Sequence, residues 1–113
     1  MTGVEQAEFD KLNSEQKEEY RYQQRKHPNW DHKKLMVKVG FSDKVDEIVD
    51  KNGGDVDPND RDVMKELVIG VDKWLKRTLP RIWNGVKELF SNILTSIVNG
   101  VINFFDEILS QIF

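Results

Sequence analysis

Residues 70–113 decide the fold, and they read GVDKWLKRTLPRIWN (70–84), GVKELFSNILTSIVN (85–99) and GVINFFDEILSQIF (100–113). Each copy begins with Gly-Val, and large apolar residues recur at matching positions in all three copies. Apolar residues three and four positions apart are typical of amphipathic helices that bury one face, and a repeat of this kind builds shape. The matching positions are Val71/Val86/Val101, Leu79/Leu94/Leu109 and Ile82/Ile97/Ile112.

The period of the repeat does not fit one straight helix. A spacing of fifteen residues turns each copy by roughly 60° from the last, and the apolar positions of one copy cover about half of the circumference. An unbroken helix over 58–113 would be about 84 Å long, whereas a domain of this size has a radius of gyration of about 13 Å. We therefore predict bends at Pro80 and near Gly100, with Gly85 tolerated inside a helix. The alternative is a protruding helix that requires a partner.

Capping signals predict short helices before the repeat. Asn13 followed by Gln16 is a capping box, and the residue before Pro28 is pushed out of helical geometry. Asp31 is a second cap, Gly40 is expected to end the helix that follows, and Asn52-Gly53-Gly54 is expected to end the next one. These signals predict helices at residues 14–26, 32–39 and 43–52, the last of them capped by Ser42 or Asp43.

The clearest helix start is Asp57-Pro58-Asn59-Asp60, in which a capping Asp precedes a proline at the first helical position. The sequence thus predicts an all-α fold: a small helical bundle in which three short N-terminal helices pack on long amphipathic C-terminal helices. We expect a single domain over 1–113, with a charged short-helix region at 1–57 and amphipathic repeat helices at 58–113.

Composition excludes several classes of function. Residues 1–62 carry eleven Lys and Arg against fifteen Asp and Glu, so the chain lacks the basic surface of a nucleic-acid-binding protein. There is no cysteine, which excludes a thiolate metal site and a cysteine nucleophile. The polar N-terminus does not resemble a signal peptide, and residues 89–105, although uncharged, are too polar for a transmembrane span. These features predict a cytoplasmic location.

Three candidate sites are better explained without a ligand. The cations around Trp74 and Trp83 are typical of the solvated face of an amphipathic helix. Counted from Asp50 as a calcium loop, the required glycine is Asp55 and the required glutamate is Arg61, so the match fails. His27 and His32 across a turn lack the further ligands of a zinc site. We predict no metal, cofactor or catalytic residue, and we expect Trp30 in that turn to anchor the N-terminal helices.

The phrase Ile82-Trp83-Asn84-Gly85-Val86-Lys87, followed by Leu89-Phe90 and then by Ile97-Val98-Asn99-Gly100-Val101, has a counterpart in a known family. It resembles the Trp-Asn-Gly-Ile-Lys helical repeats of phage tail tape-measure proteins. The resemblance covers residues 70–113, and none is found for residues 1–69. It implies a helical assembly element without catalytic residues.

The last part of the repeat is the candidate interaction face. Its polar side between residues 89 and 105 carries only Ser, Thr and Asn, which permits close contact with another helix. The alternatives are an ordinary bundle helix and a lipid surface, the latter disfavoured because residues 88–113 contain three acids and no basic residue. The candidate face consists of Leu89, Phe90, Ile93, Leu94, Ile97, Val98, Val101, Ile102, Phe105, Ile108, Leu109 and Ile112.

The sequence therefore favours a non-enzymatic helical interaction or assembly protein, which uses its C-terminal repeat for self-association or for binding a protein partner. The alternative hypothesis is a membrane-surface or membrane-active protein that inserts the same helix into the interface.

Overall fold

The computed structural model describes residues 1–57 and 59–100, which form helices with no strand among them. The predicted all-α bundle is confirmed. The described helices are α1 (Gly3–Asp10), α2 (Ser14–Lys26), α3 (His32–Lys51), α4 (Arg61–Thr78) and α5 (Pro80–Val98).

The first two helices both begin with a capping box. The predicted bounds of α2 are correct, and Asn13 Oδ1 accepts a hydrogen bond from the Gln16 amide at 2.8 Å. Helix α1 was not predicted. Its cap is Thr2, whose hydroxyl accepts from the Glu5 amide at 3.2 Å, while the Glu5 carboxylate accepts from the Thr2 amide at 2.9 Å. The Thr-x-x-Glu signal is thus legible in the sequence, although few apolar residues follow it.

Helix α3 corrects the prediction of two short helices at 32–39 and 43–52. The helix starts at the predicted cap, Asp31, and runs through Gly40 and Ser42 without a break. A glycine inside a helix costs about 1 kcal/mol relative to alanine, which packing can offset. Here Gly40 is buried against the indole of Trp74, so its missing side chain makes room for the neighbouring helix. The helix ends before Gly53 and Gly54, which both have positive φ, as the sequence predicted.

Helix α4 begins three residues later than its predicted start. Asp60 is the cap, and its Oδ1 accepts from the amides of Asp62 at 2.8 Å and Val63 at 3.3 Å. Asp57 forms a turn instead, since its Oδ1 accepts from the Asn59 amide at 2.9 Å. Asp57 and Asp60 can both accept hydrogen bonds from free backbone amides at a helix start. Asp60, which lies nearer the apolar stripe, caps the helix.

The repeat folds back on itself within the described residues. Helix α4 ends at Thr78, and Pro80 is the first residue of α5, where its lack of an N–H leaves no donor unsatisfied. The two helices pack against each other along their lengths. Gly85 lies inside α5, which ends at Val98, and Gly100 follows with φ of +73°. The predicted helical continuation to Phe113 lies outside the described residues.

The core contains side chains from every described helix. The repeat supplies its centre, since Val71, Leu79 and Ile97 are fully buried and Ile82 and Val86 nearly so. Each large apolar side chain buried in this way contributes about 1.5–3 kcal/mol relative to an exposed one. None of the helices that the structure describes has the length and apolar character needed to cross a membrane.

Candidate interaction surface

The inner face of α5 is filled by the chain itself. Phe90, Ile93 and Ile97 are each 0% exposed, and the ring of Phe90 meets that of Phe41 edge to face at 6.0 Å. These three residues were predicted to belong to the interaction face. Because they lie in the core of the folded chain, a partner cannot reach them, and this part of the predicted face is corrected to core.

The edge of the same helix remains accessible. Leu89 and Leu94 are half-buried and pack against the rim of the core, whereas Val98 is 57% exposed. Leu94 and Val98 are four residues apart, so they lie next to each other along one side of α5. The apolar surface of α5 therefore passes from the interior at Phe90 and Ile97 to solvent at Val98.

The polar side of α5 is exposed, and no charged residue follows Glu88 in this helix. Ser91, Asn92, Thr95 and Asn99 are exposed, and Ser96 is half-buried. The Thr95 hydroxyl donates to the Ser91 carbonyl at 3.0 Å, which removes its need for a partner in solvent. A surface of small uncharged groups is cheap to desolvate compared with Lys and Glu. The remaining members of the predicted face, Val101, Ile102, Phe105, Ile108, Leu109 and Ile112, lie outside the part of the chain that the structure describes.

A buried polar network at the other end of the sequence ties four helices together. Glu8 on α1 accepts hydrogen bonds from Arg81 on α5, with Nη2 at 2.6 Å from Oε1 and Nε at 3.1 Å from Oε2. Its Oε1 also lies 3.0 Å from Nε2 of His32 on α3, and His32 Nδ1 lies 2.9 Å from the Tyr20 hydroxyl on α2. A carboxylate only accepts, so Nε2 donates to Glu8, while Nδ1 lies within hydrogen-bond distance of the Tyr20 hydroxyl.

The electrostatics of this network favour the ionised carboxylate. Burial raises the pKa of Glu8, but the hydrogen bonds from Arg81 and His32 and their charges outweigh it, so the pKa lies below its ordinary value. Burial also raises the pKa of the Tyr20 hydroxyl. With Tyr20 1% exposed and Glu8 and His32 buried, a substrate has no access to these groups. The network therefore serves to hold α1 in place.

The two histidines that were weighed as zinc ligands have different roles, and only His32 belongs to this network. Both ring nitrogens of His32 are engaged, and the ring of His27 stacks on that of Trp30 with centroids 3.7 Å apart. Trp30 packs against the core, where the sequence analysis expected an anchor. Sequence reasoning missed the roles of Glu8 and Arg81 because the two residues are far apart in the chain and neither belongs to a local motif.

Two lysine side chains contact the ring of Trp83 at the protein surface. The amino groups of Lys76 and Lys87 lie 5.2 and 5.3 Å from the ring centroid of Trp83, and its indole N–H donates to Asp72 at 2.9 Å. Such contacts contribute about 0.5–1 kcal/mol each at exposed sites. The indole N–H thus has its partner in Asp72, and the two lysines contact the ring, so these groups find their partners within the chain. No group of three or more His, Asp or Glu side chains is placed to hold a metal in the described ranges 1–57 and 59–100.

No family model, curated protein or solved structure matches this chain. Its function is therefore inferred from its own residues and their geometry.

Proposed function

We propose that this protein is a non-enzymatic helical interaction or assembly protein. The apolar edge of α5 at Leu94 and Val98 is called here the C-terminal edge. Through this edge, and through the apolar residues of the third copy of the repeat, the chain binds a second copy of itself or a protein partner. In this proposal helices α1 to α5 hold the C-terminal edge in position, and that edge is the functional surface.

The exposure of Val98 is the observation that carries the proposal. The chain buries Phe90, Ile93 and Ile97 of α5 completely. The next apolar residue of the repeat, Val98, is nevertheless 57% exposed. The sequence continues from there into Val101, Ile102 and Phe105. An exposed apolar side chain that is followed in the sequence by further large apolar residues supports a surface that meets another molecule.

The uncharged polar residues beside Val98 support a protein partner. Ser91, Thr95 and Asn99 are small, so a second helix can approach closely, and they leave no charge to desolvate. The resemblance of the repeat to helical repeats of phage tail tape-measure proteins agrees with an assembly role.

A membrane-surface role is the second candidate, and the same exposed Val98 favours it, but helices at anionic lipid surfaces carry Lys and Arg beside their apolar face. Residues 88–113 contain none.

Two measurements separate these functions. Light scattering of the purified chain at several concentrations is expected to show a mass that rises with concentration, and flotation with vesicles, with and without anionic lipid, is expected to leave the protein in the lower fractions. Flotation with vesicles would favour the membrane-surface role. A chain that stays monomeric at every concentration and does not bind vesicles would overturn both self-association and the membrane-surface role.

A further inference from the structure

Three lysines lie around Trp83 on the outer side of α4 and α5. The amino groups of Lys76 and Lys87 lie 5.2 and 5.3 Å from the centroid of its ring, and Lys73 is exposed on α4 three residues before Lys76. Asp72 brings one negative charge to the region, but none of the three lysines forms an ion pair with another residue that the structure describes. An aromatic ring attracts a cation without carrying a net charge, so this region, called here the lysine surface, keeps its positive charge.

A surface of opposite charge lies between α2 and α3. Glu15 and Glu19 of α2 and Asp43 and Asp46 of α3 line one small depression. Glu19 accepts hydrogen bonds from two neighbouring side chains and interacts with the charge of Lys38. The other three carboxylates form no ion pair within the described part of the chain. These four carboxylates are called here the acidic surface.

The acidic surface lies on the side of α3 that is directed away from α4. Gly40 packs against Trp74 of α4, and the side chain of Lys44 covers α4 one turn further on. Successive residues of a helix are about 100° apart, so Ser42 and Asp46 lie about 160° around α3 from Gly40 and Lys44. Both Ser42 and Asp46 line the depression.

The lysine surface lies on the other side of the bundle. Lys76 comes two residues after Trp74, so it lies about 160° around α4 from the residue that meets α3. On α5, a Cβ placed on Gly85 would lie 3.7 Å from Cδ of Lys33 on α3. Trp83 comes two residues before Gly85 and again lies about 160° around the helix. Both helices therefore carry the lysine surface on their sides directed away from α3.

We propose that the lysine surface of one chain binds the acidic surface of a second copy. Charge complementarity selects this occupant, because each surface offers the charges that the other lacks. Since the two surfaces lie on opposite sides of the bundle, a chain that uses one of them keeps the other available for a further copy. Head-to-tail contacts of this kind build rings or open rows of copies. The contact is separate from the C-terminal edge, and it depends strongly on salt because its charges are exposed.

Sedimentation equilibrium of charge-neutralised variants tests this contact. Every variant carries Val98→Asp, so that the C-terminal edge does not add to the association that is measured. The first variant neutralises the lysine surface by Lys76→Gln and Lys87→Gln. The second neutralises the acidic surface by Glu15→Gln and Asp46→Asn. All four of these positions are exposed, and circular dichroism checks that the helical content is unchanged.

A matched control removes two exposed cations that belong to neither surface, by Arg25→Gln and Lys51→Gln. At about 0.01 M salt, where charges are screened over about 30 Å, the Val98→Asp parent and the control are expected to associate, and each neutralised variant is expected to stay monomeric. An equimolar mixture of the two neutralised variants retains one intact contact, so it is expected to form a one-to-one dimer. At about 1 M salt the association constant of the parent should fall at least about tenfold.

A mixture that stays monomeric would overturn the proposal, as would a parent that is monomeric at low salt. Neutralised variants that associate like the parent, loss of association in the control, or association of the parent that salt does not weaken would also overturn it. Failure here is distinguishable from failure of the proposed function. The C-terminal edge is measured by comparing the wild type with Val98→Asp, whereas this contact is measured among variants that all carry Val98→Asp.

Discussion

Glu8 on α1 and Arg81 on α5 form a two-point ion pair, with Nη2 at 2.6 Å from Oε1 and Nε at 3.1 Å from Oε2. The carboxylate is buried, while the guanidinium remains largely in solvent. This pair attaches α1 to the rest of the bundle. The backbone of α1 makes few close contacts with the other helices, and the segment is held through the buried side chains of Glu8, Phe9 and Leu12.

Replacement of Glu8 by glutamine is predicted to destabilise the fold. The neutral amide keeps the size of the side chain and one acceptor oxygen, but it loses the negative charge and the second acceptor oxygen of the pair with Arg81, so the free energy of unfolding should fall by about 1–3 kcal/mol. Urea unfolding followed by circular dichroism measures the change. Glu18→Gln, an exposed position on α2, is the control and should leave the midpoint unchanged. Equal midpoints for the two variants would show that the network contributes nothing.

The contribution of Glu8 is predicted to depend on pH with a definite sign. The pKa of Glu8 in the folded chain lies below its ordinary value of 4.5. Its stabilising effect is therefore complete above the unfolded pKa and is lost as the pH falls through the folded pKa. The difference in unfolding free energy between the wild type and Glu8→Gln should be constant above about pH 5.5 and should shrink below 4.5. A difference that grows on acidification would contradict the assignment.

Alanine is predicted to have opposite effects at two helical glycines. A Cβ at Gly40 would lie 2.8 and 2.9 Å from carbons of the rigid Trp74 indole, and overpacking of this kind costs about 1–3 kcal/mol. At Gly85 the nearest atom is Lys33 Cδ at 3.7 Å, so the better helix propensity of alanine should stabilise the protein by about 0.5–1 kcal/mol. Thermal unfolding of both variants tests this pair. A stabilised Gly40→Ala would mean that α3 and α4 do not approach as closely as described.

Two adjacent apolar residues are predicted to differ sharply in their tolerance of charge. Ile97 is 0% exposed and Val98 is 57% exposed. Ile97→Asp buries an unpaired carboxylate and should abolish the cooperative unfolding transition. Val98→Asp places the charge in water and should change the unfolding free energy by less than about 1 kcal/mol, the range for an acid near a helix C-terminus. Similar losses in both variants would show that the edge of α5 is not exposed.

The sequence predicts the local features of this fold well. The caps at Asn13 and Asp31 and the burial of Val71, Leu79 and Ile82 all follow from nearest-neighbour chemistry and helical spacing. The continuity of α3 through Gly40 could not be predicted, because the residue that fills the space beside it is Trp74, on another helix. The Thr2 cap of α1 was present in the sequence, but the helix it starts depends on Glu8, whose partners are distant in the chain.

The candidate surface was predictable only in part for a related reason. The pattern identifies an apolar stripe from Leu89 onward, but it does not say which of its residues the chain buries for itself. That division depends on how α5 packs against α3 and α4. The structure assigns Phe90, Ile93 and Ile97 to the core and leaves Val98 at the surface.

The most direct test of the central claim is sedimentation equilibrium of Val98→Asp beside Asn92→Asp. Both residues are exposed on α5, and they lie about 120° apart around the helix, so each variant adds the same charge to a different edge. If the C-terminal edge mediates self-association, Asn92→Asp should associate like the wild type, whereas Val98→Asp should show a dissociation constant raised at least about tenfold, equivalent to 1.4 kcal/mol. Equal association constants for the two variants, or a wild-type chain that is monomeric throughout, would contradict the account.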